Sequence, residues 1–238
     1  VRASYYQETG IAVDHMVKDL GLSKIAVFYQ YDAFGFDGLT GTELALKRYR
    51  LEPVARGSYV RGTHDIKEGL EKIMESGAEA VVMIGTYGPC AEFIKLARKA
   101  RFHPTFVNVS FVGANALAQE LGAAGEGVVV SQVVPFPWDA SLKVVADYQA
   151  AQKALDPTLS PGFVSLEGYL SGRLAAGALE LAGPHPTRAG LLRAINEVGR
   201  FDISGSVITV GPKMQEAPPK VFLTVIQKDG SFKAVDRL

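Results

Sequence analysis

The chain has 238 residues, enough for one large or two small α/β domains with a sizeable buried core. Lys and Arg together number 25, as do Asp and Glu, so no basic field is available for a nucleic-acid backbone and no acidic tail for a cationic partner. Apolar runs such as 78–84, with its embedded Glu79, fall far short of the ~20 residues that span a bilayer, so no direct membrane insertion is expected; the single cysteine, Cys90, rules out an internal disulfide.

In chain order, a short β-branched or aromatic run repeatedly alternates with a helical segment, the cadence of βα units and a parallel sheet. A helix over 7–20 precedes a strand over 24–29, and a helix over 37–50 precedes a strand over 53–60. Asp65 followed three residues later by Glu68 predicts a capped helix start, with Ile66, Leu70 and Ile73 on one face and Gly77 as the stop. A strand over 78–84, a helix over 89–101 with proline in its first turn, a strand over 105–109, a short helix over 115–121 and a strand over 127–133 complete this half.

The pattern breaks at Val134-Pro135-Phe136-Pro137-Trp138-Asp139, where two prolines remove donors and force an extended path out of the sheet. Helices are expected over 139–155, 162–181 and 187–198, divided by Asp156-Pro157 and Gly183-Pro184. No strand is read among them. Strands at 205–210 and 221–227 follow, the latter turning at Lys228-Asp229-Gly230-Ser231 into 232–235.

Ile25-Ala-Val-Phe-Tyr-Gln-Tyr-Asp-Ala-Phe-Gly35, Ala80-Val-Val-Met-Ile-Gly-Thr-Tyr87, Gly125-Glu-Gly-Val-Val-Val130 and the run 163–181, with the Val133-Val134-Pro135 exit and the closing hairpin, resemble the leucine/isoleucine/valine-binding family of type I periplasmic solute-binding proteins. The resemblance spreads over essentially the whole chain as many weak matches. It implies two doubly wound α/β lobes that close on a solute. Residues 4–133 and 212–238 would form the C-terminal lobe, and 134–211 part of the N-terminal lobe, whose early strands fall outside this chain. It further implies a periplasmic protein, or an extracytoplasmic one lipid-anchored in a Gram-positive cell. Its partners would be a small-molecule solute and the membrane permease of an ABC importer, with no nucleic acid and no cofactor. A ligand-sensing domain of a signalling receptor or regulator is the alternative.

In open parallel sheets, ligands bind beyond the carboxyl ends of the strands. Three such ends carry candidates: Asp32 and Phe34 in the first, Thr86 and Tyr87 in the second, Ser110 and Phe111 in the third. The resemblance places an aromatic or polar contact at Phe34 and a pocket tyrosine at Tyr87. It puts a carboxylate that pairs with a ligand ammonium at about Ser110, where this chain has none. A buried ammonium without a counter-charge is costly. An aromatic or carboxylate-bearing solute therefore stands beside a branched-chain amino acid, with Glu167 of the other lobe as the substitute charge. Each candidate has a plainer reading: Phe34 and Phe111 as loop packing, Asp32 as a cap or turn, Glu167 as a solvated helix-start charge.

Cys90 reads as a packed small residue. His15, His64, His103 and His185 lack metal-ligand spacing. Gly122-Ala-Ala-Gly125-Glu-Gly127 precedes a strand, whereas a dinucleotide fingerprint follows one. Asn108-Val109-Ser110 matches a glycosylation sequon at a cleft-facing strand end, where chance explains it. No hydrolase elbow, phosphate loop or zinc-protease motif occurs, so no catalytic residue is expected.

Overall fold

The computed structural model describes residues 1–211 and 220–238. Residues 212–219, part of the tail expected in the C-terminal lobe, lie outside the described residues. The chain divides into two compact units, Ser4–Gln132 with Val221–Leu238, and Val1–Ala3 with Val133–Lys220.

The larger unit begins with α1 (Tyr5–Lys18), two residues earlier than its apolar pattern suggests. The start is set by a capping box: the Ser4 side chain accepts from the Gln7 N–H, and the Gln7 side chain accepts from the Ser4 N–H at 2.9 Å. Then follow β1 (Ile25–Gln30), α2 (Ala33–Lys47), β2 (Arg56–Tyr59), α3 (Lys67–Glu75), β3 (Ala80–Ile84), α4 (Tyr87–Lys99), β4 (Thr105–Asn108), a 3-10 turn (Ser110–Val112), α5 (Ala114–Leu121) and β5 (Val129–Gln132). The expected cap on α3 is not made. Ile66, fully buried, occupies the N-cap position with no side-chain bond to the helix, so packing rather than Asp65 decides how the chain turns in.

Strands β1 to β5 are parallel in the order β2-β1-β3-β4-β5. The chain steps one way from β1 to β2 and then the other way from β3 to β5, which makes the gap between β1 and β3 the switch point. On one face Ile25, Val27, Val82, Ile84, Val107 and Val129 pack with Ala12, Val13 and Met16 of α1 and Ala45 and Leu46 of α2. α2 lies so close that a Cβ on Gly38 would come 2.4 Å from Ile84 Cγ1. On the other, Phe28 stacks on Tyr59 at 5.3 Å and tilts against Phe93 at 4.4 Å. A mixed, mostly parallel α/β sheet covered on both sides is the doubly wound class expected.

The smaller unit holds α6 (Lys143–Leu155), α7 (Phe163–Ala182), α8 (Arg188–Val198) and an antiparallel pair, β6 (Arg200–Ile203) with β7 (Ser206–Thr209). α6 starts four residues later than expected, and β6 is a strand not anticipated. The Tyr148 hydroxyl ties α6 to the start of α7 by accepting from the Gly162 N–H at 3.0 Å and meeting Ser165 Oγ at 2.6 Å. The rings of Phe136, Trp138 and Phe163 cluster with centroids 5.0–6.0 Å apart. The last strands, β8 (Phe222–Ile226) and β9 (Phe232–Val235), belong to the larger unit and extend its sheet antiparallel beyond β5.

Candidate functional site

The carboxyl ends of β1, β3 and β4 bring six of the seven candidates, Asp32, Phe34, Thr86, Tyr87, Ser110 and Phe111, to one end of the larger sheet. Asp32 caps α2: its Oδ1 accepts from the Gly35 N–H at 3.1 Å, and its Oδ2 accepts from Gln30 Nε2 at 2.6 Å. A Cβ on Gly35 would fall 1.7 Å from the Gln30 carbonyl oxygen, so only glycine lets the chain turn this tightly into the helix. One position before it, Phe34 is half-buried and meets two other rings, Tyr5 at 5.0 Å and Phe111 at 5.0 Å. Tyr5 and Phe111 stand edge to face at 6.5 Å. Three rings from α1, the first turn of α2 and the turn after β4 thus form one aromatic wall, with Phe111 still 52% exposed.

After β3, Thr86 is fixed by β2. Its N–H donates to the Tyr59 hydroxyl oxygen at 3.0 Å, while that hydroxyl donates to Gln30 Oε1 at 3.0 Å. Burial raises the Tyr59 pKa, so the phenol stays protonated and keeps its donor at neutral pH. Asp32, Gln30, Tyr59 and Thr86 therefore form one chain of hydrogen bonds across the ends of β1, β2 and β3. Tyr87, the first residue of α4, is 49% exposed, and no side chain caps the helix it opens. After β4, Ser110 is 8% exposed, and its N–H donates to Glu8 Oε2 at 2.8 Å. The same oxygen accepts from Ser131 Oγ at 2.6 Å, and Glu8 is fully buried.

Glu167 lies in α7 of the smaller unit, where its carboxylate pairs with Arg2 Nη1 at 3.4 Å. Among the described residues no group of His, Cys, Asp and Glu is arranged to hold a metal, and no helix is long and apolar enough to cross a membrane. His15 faces Asp19 and His64 faces Glu92. Asn108 of the sequon is fully buried and out of reach of a glycosyl donor.

Sequence reasoning did not single out Tyr5, Glu8, Gln30 or Tyr59. A signal for Glu8 was present: the buried stripe of α1 at Thr9, Ala12, Val13 and Met16 extends back to position 8, so a carboxylate sits where an apolar residue belongs. Tyr59 offered none, since a tyrosine in a half-buried strand is ordinary.

This architecture, a doubly wound and mostly parallel sheet whose strand-end loops converge on an aromatic wall, is the type I periplasmic-binding-protein fold. A family model described as periplasmic binding protein matches residues 1–231, and the chain belongs to that family. Among solved structures it is similar to a possible leucine/isoleucine/valine-binding protein from Rhodopirellula baltica SH 1, at 37% identity and TM-score 0.91 over 98% of this chain and 65% of that one. It also resembles a substrate-binding periplasmic protein from Ralstonia solanacearum, at 26% identity and TM-score 0.88 over 99% of this chain and 67% of that one. An extracellular ligand-binding receptor from Verminephrobacter eiseniae matches at 28% identity and TM-score 0.82, over 98% and 66%. The chain thus spans about two thirds of the length of each. No curated protein matches it.

Proposed function

We propose that this chain carries much of the gripping surface of an extracytoplasmic substrate-binding component that delivers a small organic solute to the permease of an ABC importer. The larger unit is then the C-terminal lobe, and capture is reversible binding without turnover. The observation that carries this reading is the aromatic wall of Tyr5, Phe34 and Phe111 at the strand ends, with Phe111 half exposed although it already touches Phe34. Apolar surface held open at a switch point gains free energy when a ligand covers it, about 1.5–3 kcal/mol for a fully buried large side chain. Tyr87 and the uncapped start of α4 add a hydroxyl and a weak positive field for a carboxylate or other anionic group. The solute favoured is therefore an aromatic acid. Ser110 contributes no charge for an ammonium, and the Glu8 oxygen nearest it already serves two donors.

The test is a thermal-shift screen of the full-length protein against phenylacetate, benzoate, phenylalanine and leucine. At a concentration a hundredfold above Kd, a binder stabilises by about 2.7 kcal/mol. Phenylacetate or benzoate should raise Tm and leucine should not. Phe111→Ala should abolish the shift yet cost under about 1 kcal/mol of stability, as for an exposed side chain. A rise with leucine alone would overturn the aromatic assignment. A Phe111→Ala protein that binds like the parent would remove the wall from the site.

A further inference from the structure

A fully buried carboxylate is expensive unless its lone pairs are engaged, so the place where one is kept shows what it holds. Glu8 lies in the first turn of α1, five residues after the chain passes from the smaller unit at Ala3. Its Oε2 accepts from two groups far away in sequence: the Ser110 N–H, at the start of the 3-10 turn that presents Phe111, and Ser131 Oγ, one residue before β5 ends and the chain leaves the larger unit at Gln132. Tyr5, three residues earlier on the same helix face, lays its ring against Phe34 and Phe111. One turn of helix therefore fixes both the backbone and the ring of the turn after β4.

We infer that Glu8 is a positioning residue for solute binding: its carboxylate holds the Ser110–Val112 turn so that Phe111 stands in the aromatic wall. This inference rests on the solute-capture reading for its purpose, but not for its geometry. A hydrogen bond to a carboxylate is roughly twice as strong as one to a neutral acceptor, and an amide at this position would keep the shape while weakening both bonds. The Ser131 hydroxyl, bonded to the same oxygen, helps hold the carboxylate in the orientation that receives the Ser110 N–H, so its removal leaves the carboxylate freer to turn away.

The experiment is hydrogen exchange followed by mass spectrometry on the ligand-free full-length protein, comparing the parent with Glu8→Gln and Ser131→Ala. In Glu8→Gln, peptides covering 108–113 should exchange about tenfold faster or more, while those covering β1 and β3 keep their protection. Ser131→Ala should give a smaller effect confined to the same peptides, and it carries the test if Glu8→Gln does not fold. Uniform acceleration across the larger unit, or none at 108–113, would reduce Glu8 to a general clamp between α1 and the sheet and overturn the proposal. Phenylacetate titrated against the same proteins separates the two readings. Weaker binding by the variants than by the parent places the turn in the solute site. No binding even by the parent sinks the aromatic-acid reading and leaves the exchange result to decide the role of Glu8.

Discussion

Cys90 lies in the first turn of α4, a setting that in an exposed helix would activate a thiol, yet here it is completely enclosed and burial pushes its pKa well above the ordinary thiol range. The thiol stays protonated at neutral pH and out of reach. Iodoacetamide at pH 8 should leave Cys90 unmodified in the native protein and label it to completion in 6 M guanidinium; native labelling at the unfolded rate would show that α4 opens. Burial also separates the candidates that sequence left open. Asp32 and Phe34 are two positions apart, but the carboxylate turns inward to cap α2 while the ring joins a wall. Phe111 differs from Phe34 in exposure, not in chemistry, and no reading of residue type alone assigns that difference. Gly35 belongs to the same scale, since the 1.7 Å approach to the Gln30 carbonyl oxygen forbids a side chain at position 35.

At the scale of elements, Glu79 joins two strands at their amino ends. Its Oε2 accepts from the Ser23 N–H at 3.2 Å and the Lys24 N–H at 3.1 Å, and these bonds lower its pKa below the ordinary 4.5. A carboxylate with a depressed folded pKa contributes stability that is present above pH 4.5 and lost as pH falls through the folded value. Glu79→Gln should therefore unfold at lower temperature than the parent at pH 7, with the gap closing as pH drops below about 4. A gap that persists at pH 3 would mean that the residue acts through packing instead. Helix and strand identity was largely legible from periodicity. The alternation of polar Arg200 and Asp202 with apolar Phe201 and Ile203 also fits β6, a strand absent from the sequence reading, and in the structure the four are exposed, buried, exposed, buried. The cap on α3 failed for the opposite reason: Asp65 and Glu68 have the right spacing, but the buried Ile66 sets the backbone. Local preference yields where packing is stronger.

At the scale of the whole molecule, the larger unit is assembled from two stretches of chain, and its sheet is finished only by β8 and β9 at the far end of the sequence. Leu223 of β8 is buried in the same core cluster as Val27, Val82 and Val129. Leu223→Ala should cost about 2–5 kcal/mol in urea denaturation, and exchange protection should fall in β4 and β5 together with β8. If only the hairpin loosened, β8 and β9 would be an appended ribbon rather than part of the core. The glycine turn at Asp229-Gly230 makes the hairpin readable locally, whereas its antiparallel docking on β5 closes a loop of ~90 residues that periodicity cannot see.

The sequence by itself determined the class of fold, because short apolar strands alternating with amphipathic helices leave few sheets to build. It also determined which strand ends would gather the candidate residues, because ligands in such sheets meet the carboxyl ends. Only the tertiary structure decided which side chains serve one another there. The pairing of Glu8 with Ser110 and Ser131, of Tyr59 with Thr86, and of Tyr5 with Phe34 and Phe111 joins residues 27 to 123 positions apart or sets a ring among others. Such contacts depend on how strands are ordered and helices packed, and no local pattern in the chain encodes that order.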